Sequence, residues 1–157
     1  TMPVIVRDLD DDESVIIMVD SNLQRENILP SERAKAYQMK LEAIRKKAGR
    51  PSKDNCSQLG NNSEGKRSLE ILAEDAPDSK NQIHRYIRLN SLEQPLRDKV
   101  DSGELAFTPA VELSYLDEET QRDIVDRIDE TEAFPSHDQA IRIRKAYEAG
   151  EIDYDKV

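Results

Sequence analysis

The sequence predicts an all-α fold built from short, closely packed helices, and three observations carry that reading. Charged residues make up 36% of the 157 positions and apolar residues another 36%, which leaves a thin core suited to one ordinary domain or two very small ones. Aromatics are only 4%, Trp is absent and Gly numbers 5, so the tight turns and aromatic cross-strand pairs of all-β folds are poorly supplied. The helix formers Glu, Lys, Arg, Leu and Ala are abundant instead.

Taken in order, Pro3-Val4-Ile5-Val6 reads as the tail of a strand. It is too short to make a sheet alone, so the sequence is expected to begin partway through a larger domain. The acids from Asp8 to Glu13 suit a helix N-terminus, and Val15, Ile16, Ile17 and Val19 give a short buried helix ending near Asp20. After Ser21 to Leu29, Pro30 sits at a first helical position, and Ala34, Tyr37, Leu41, Ile44 and Ala48 recur at spacings of three and four, predicting a helix over 30–48. Gly49 and Pro51 stop it, and 49–67 reads as a basic, flexible linker.

Beyond the linker the expected helices are 68–76, 79–89, 94–102, 108–116, 118–131 and 136–149. Ser79 and Asp117 are N-cap residues, Thr108 precedes a first-turn Pro109, and Ser136 with Gln139 makes a capping box. Gly103 and Gly150 stand where helices end. The chain thus divides into 1–48, the linker 49–67, and a helical domain over 68–157, with no internal repeat.

No apolar run approaches the roughly 18 residues of a membrane span, and the N-terminus is acidic where a signal peptide is basic, so a cytoplasmic protein is expected. Cys56 has no second Cys and no nearby His, which excludes a disulfide framework and a zinc site built on it. The net charge of −10 argues at first against a nucleic-acid partner. The charge is uneven, however. Arg33 to Arg67 carries ten Lys or Arg against three acids, a balance of +7, whereas 1–32 and 117–134 each stand at −6.

The segment Leu69 to Leu89 has the pattern of a helix-turn-helix. Leu72, Ala73, Ile83 and Tyr86 or Ile87 take the buried positions, Ala73 is small enough for close helix approach, and Pro77 in the turn Ala76-Pro77-Asp78 ends the first helix. With the second helix in a major groove, Ser79, Lys80, Asn81 and Gln82 would meet the DNA first, followed a turn later by His84, Arg85 and Arg88. Asn and Gln pair with adenine, Arg with guanine, and Ser and Lys with phosphate, and from Ser79 to Leu92 there is no acid. Any two amphipathic helices with a short turn satisfy the same spacing. Gly49-Arg50-Pro51 with Lys53 has the form of a minor-groove AT-hook core, or of a solvated basic loop.

Upstream, Asn22-Leu23-Gln24-Arg25-Glu26-Asn27-Ile28, followed by Pro30, Glu32, Ala34 and Tyr37, resembles the Q-R box of the ParB/RepB-type partition proteins, with the helix-turn-helix downstream where that family carries its own. Leu89-Asn90-Ser91-Leu92 and Val100 to Leu105 resemble the family's continuation, so the similarity covers about residues 3–116. The resemblance implies a multi-helical DNA-binding domain preceded by a remnant of the ParB-like N-terminal domain, in a homodimer that binds double-stranded DNA for plasmid, mobile-element or chromosome partition. It further implies nucleotide contacts at Asn22 and Arg25, CTP with Mg²⁺ in a full-length protein, a ParA-type ATPase partner, and association with nucleoid or plasmid. The sequence departs from the family in three places. The upstream G-E-R-R phosphate motif is absent, Ser21 replaces an acid, and Phe107-Thr108-Pro109-Ala110 stands where a G-H or H-A pair is usual. DNA binding without a cofactor is therefore expected of this stretch.

Two other function classes compete with DNA binding. A CTP-dependent clamp or nuclease-type enzyme would need a metal-binding acid cluster near a His, a nucleophile with its base, or a Gly-rich phosphate loop, and none is legible, so no catalytic or metal-ligating residue is assigned. A protein-interaction adaptor would use acidic helices such as 117–132.

Overall fold

A computed structural model describes residues 8–47 and 68–150, and these residues form eight helices and no strand. Asp10 opens the first, α1 (Asp11–Leu23), by accepting a hydrogen bond from the Glu13 amide at 2.6 Å, and three acids fill the first turn, where the helix dipole favours them. The helix runs three residues past the expected end at Asp20. Leu23 explains the extension, because it lies one turn beyond Val19 and both are buried against α2 (Pro30–Lys47). Lys40 of α2 is also buried at this contact, and its ammonium group donates to Asp20 at 2.6 Å, so the charge enters the core with its partner.

The start of α2 is held from a distant part of the chain. Asp101 accepts from the Ser31 amide at 3.0 Å and from the Ser31 hydroxyl, tying α2 to the end of α5 (Gln94–Asp101). Leucine and tyrosine positions of α2 then meet α3 (Ser68–Glu74) and α4 (Lys80–Leu89): Tyr37, Leu41, Leu72 and Ile83 share one core with Val19 and Leu23. Residues on both sides of 48–67 therefore pack together.

A second core joins the rest. Leu89, Leu92, Leu96, Val100 and Leu105 pack with α6 (Phe107–Leu113), α7 (Glu118–Thr131) and α8 (His137–Ala149). Each fully buried Leu of this kind contributes roughly 1.5–3 kcal/mol. Tyr86 touches both cores, with its ring centroid 5.9 Å from Tyr37 and 4.8 Å from Phe107. Gln121 of α7 is buried and fully used. It accepts from the Glu93 amide at 2.8 Å and donates to the carbonyls of Ser91 and Leu116, which locks the α4–α5 turn onto α7.

The caps expected at Ser79, Asp117 and Ser136 are all formed, the last as a full capping box. Gly103 and Gly150 both take positive φ after helix ends, where a side chain would be strained. Several boundaries differ, among them the end of α6 at Leu113, three residues short of the expected 116. Helix α3 stops at Glu74, two residues early, and α6 starts at Phe107, so Thr108 is inside the first turn and Ala106 is the uncapped N-cap residue. No described helix is long and apolar enough to cross a membrane. The strand read at Pro3 to Val6, Cys56, and Arg50 with Lys53 lie outside the described residues.

Candidate nucleic-acid interface

Helices α3 and α4 are joined by a five-residue turn, 75–79, and the turn is held by α2. The Tyr37 hydroxyl donates to the Asp78 carboxylate at 2.5 Å, and Arg33 pairs with the same oxygen at 3.3 Å while its guanidinium lies 5.4 Å from the Tyr86 ring. Burial of Tyr37, reinforced by its hydrogen bond to Asp78, pushes the phenol well above its ordinary value, so it remains the donor. Sequence reasoning placed Asp78 in the turn without a role and Tyr37 on a core stripe. The available signal was an acid next to an N-cap with no basic neighbour in its own turn.

Ser79 caps α4 by accepting from the Gln82 amide at 3.3 Å. Ile83 and Leu89 are buried, which turns Lys80, Asn81 and His84 to solvent on the opposite face. Lys80 and the remaining candidates are engaged within the protein. Lys80 pairs with Glu70 at 2.5 Å, and Gln82 accepts weakly from Arg85 at 3.4 Å. Arg85 donates to Thr108 at 2.9 Å and lies 5.0 Å from the Phe107 ring. Arg88 donates to the Ser114 carbonyl at 2.8 Å and lies 4.3 Å from the Tyr115 ring, which Arg144 also approaches at 4.0 Å. Of the seven positions singled out on α4 and its cap, the exposed ones are thus Ser79, Lys80, Asn81 and His84, and both arginines are half-buried struts to α6.

Beside α4 runs an open groove of about 460 Å³. Gln38, Glu42 and Arg45 of α2 form one wall, His84, Arg88 and Ser91 the other, and Leu41, Leu69 and Ile87 the floor. The sequence assigns no role to Gln38, Glu42 or Arg45, although the basic stretch beginning at Arg33 contains this wall. Asn22 sits in the last turn of α1 and Arg25 just past its end; both side chains are exposed, and the Arg25 amide donates to the Asn22 carbonyl at 3.1 Å.

A rigidly seated helix that presents hydrogen-bonding side chains and no acid has the layout of a binding surface. Among the described residues, no group of three or more His, Cys, Asp or Glu could hold a metal ion. No protein-family model matches the chain. The chain is similar to the probable chromosome 1-partitioning protein ParB of Deinococcus radiodurans, with 29% identity over 109 residues. The matched stretch is 69% of this chain and 30% of that relative, so the chain spans under a third of the length of the curated protein it matches.

Proposed function

We propose that this chain carries the DNA-reading module of a ParB-type partition protein, with α3, the turn and α4 acting as a helix-turn-helix. The observation that carries the reading is the exposed, acid-free face of α4, backed by a buried core and a turn tied to α2. The similarity to a chromosome-partitioning protein supports the same reading. In a major groove, Asn81 is the adenine reader, His84 a second base-edge contact, and Ser79 and Lys80 phosphate contacts. Arg85 and Arg88 can reach guanine only by leaving Thr108 and Ser114, so they rank behind Asn81. Arg50 and Lys53 add a minor-groove or phosphate contact.

A single reader with so few base contacts binds weakly against competing DNA, so two protomers on symmetric half-sites complete the site. The proposed base contacts lie on α4, apart from Asn22 and Arg25 at the end of α1, and DNA binding is read as independent of CTP. Asn22 and Arg25 are read as the counterpart of the ParB-type nucleotide-contacting box, and a ParA-type ATPase as a candidate partner.

The test is selection of bound sequences from a random double-stranded DNA pool, followed by titration of the enriched site at two salt concentrations with and without CTP and Mg²⁺. Enrichment of a symmetric site whose affinity falls with salt is expected. Strict dependence on CTP would overturn the cofactor-free reading, and no binding at low salt would overturn DNA recognition itself.

A further inference from the structure

We propose that the DNA strand next to the bases read by α4 lies in the α2–α4 groove, where Arg45 and Gln38 hold its phosphates. This rests on the DNA-binding reading and extends it from the reader helix to α2. Most cations around the reader are already engaged: Arg33 with Asp78, Lys40 with Asp20, Lys80 with Glu70, and Arg85 and Arg88 with α6. Arg45 differs from them. It is exposed on the groove wall and, among the described residues, forms no ion pair.

Phosphate affinity comes from cations that exchange counterions for the backbone, so an uncommitted guanidinium beside the reader is worth more to DNA than one held by Glu or a carbonyl. Gln38 and Arg45 are two turns apart on one stripe, roughly 10 Å at 1.5 Å per residue, enough to reach more than one phosphate of the same strand. The half-buried Leu69 and Ile87 of the floor suit the carbon face of a deoxyribose. Glu42 is the opposing feature. Its carboxylate accepts from Gln38 at 3.1 Å and stands on the same wall, so it lowers the anion affinity of the groove.

Two substitutions of opposite sign therefore test the assignment. Arg45→Ala should weaken binding of all duplexes about three- to tenfold at 50 mM salt and reduce the slope of log K against log salt by about one. Glu42→Gln should tighten binding by a similar factor. Arg142→Ala on α8 and Glu130→Gln on α7, both exposed and outside the groove, serve as controls for the change in net charge. All four positions are solvent-facing, and unchanged thermal melting checks that the variants fold. If Arg45→Ala and Glu42→Gln behave like the two controls while wild type binds, the groove assignment is overturned alone. If wild type fails to bind duplex DNA at 50 mM salt, the groove and the DNA-reading proposal fall together.

Discussion

Tyr37→Phe removes one oxygen and tests whether the turn before α4 is held by α2. Tyr37 is fully buried, and its hydroxyl donates to Asp78, a charged acceptor. A hydrogen bond to a charged group contributes about 1.5–3 kcal/mol. Asp78 keeps Arg33 at 3.3 Å and its side chain is 18% exposed, so water and Arg33 recover part of the loss, and the lower end, about 1.5 kcal/mol, applies. For a chain of 157 residues that corresponds to a fall in Tm of roughly 3–6 °C. The alkaline limb gives a second readout. Burial raises the folded-state pKa of Tyr37 above its ordinary 10.0, so the folded chain keeps a proton that the unfolded chain releases. The resulting stabilisation is whole below pH 10 and is lost as pH rises above it, with a slope of up to about 1.4 kcal/mol per pH unit. The variant lacks that slope. Urea unfolding at pH 7 and over pH 9.5–11 measures both effects. A variant with wild-type stability at pH 7 and an unchanged alkaline slope would show that the Tyr37–Asp78 contact does not hold the turn.

Other substitutions separate reading from support. Asn81→Ala and His84→Ala should each cost about 1–3 kcal/mol in binding to the selected site with melting unchanged, since both side chains are exposed; equal loss on random DNA would remove them as base readers. Arg88→Ala should lower Tm as well as affinity, because it breaks the bond to the Ser114 carbonyl and the stack on Tyr115; a purely binding defect in calorimetry would contradict the strut role. Lys80→Ala should weaken all DNA alike and flatten the salt dependence, which anisotropy titrations at 50 and 200 mM salt would resolve. Leu72→Ala, at the fully buried α3–α4 contact, should destabilise by about 2–5 kcal/mol in urea unfolding, and a loss under 1 kcal/mol would place the core elsewhere.

Helix order and most boundaries were legible in the sequence because they are set locally. A cap needs only an oxygen and the amide three residues on, so Ser79, Asp117 and the Ser136–Gln139 box could be read without knowing the fold. What could not be read depends on contacts far apart in the chain. The extension of α1 to Leu23 exists because α2 folds back over it. The engagement of Arg85 and Arg88 requires α6, 23 and 26 residues downstream, to lie beside α4. Counted by composition, both arginines look free for DNA; placed in the fold, both are spoken for. The same folding step exposes Arg45 and His84 across one groove, a juxtaposition of α2 and α4 that no local pattern announces.

The acidic balance of the chain bears on how such a surface could work. At physiological ionic strength charges are screened beyond about 8 Å, so a net −10 does not forbid a local anion site; what counts is the charge within a few ångströms of the phosphate. In this fold the acids concentrate on α1 and α7, while α4 and its caps carry none from Ser79 to Leu92. Yet the cations near α4 are largely consumed inside the protein, leaving a surface rich in amide, imidazole and hydroxyl groups and poor in free charge. A reader of that kind gains little from non-specific attraction and relies on matched base contacts. Under the DNA-reading proposal, its discrimination between sites would be large while its affinity for random DNA stays low, and a second protomer on a symmetric half-site would supply the affinity a single reader lacks.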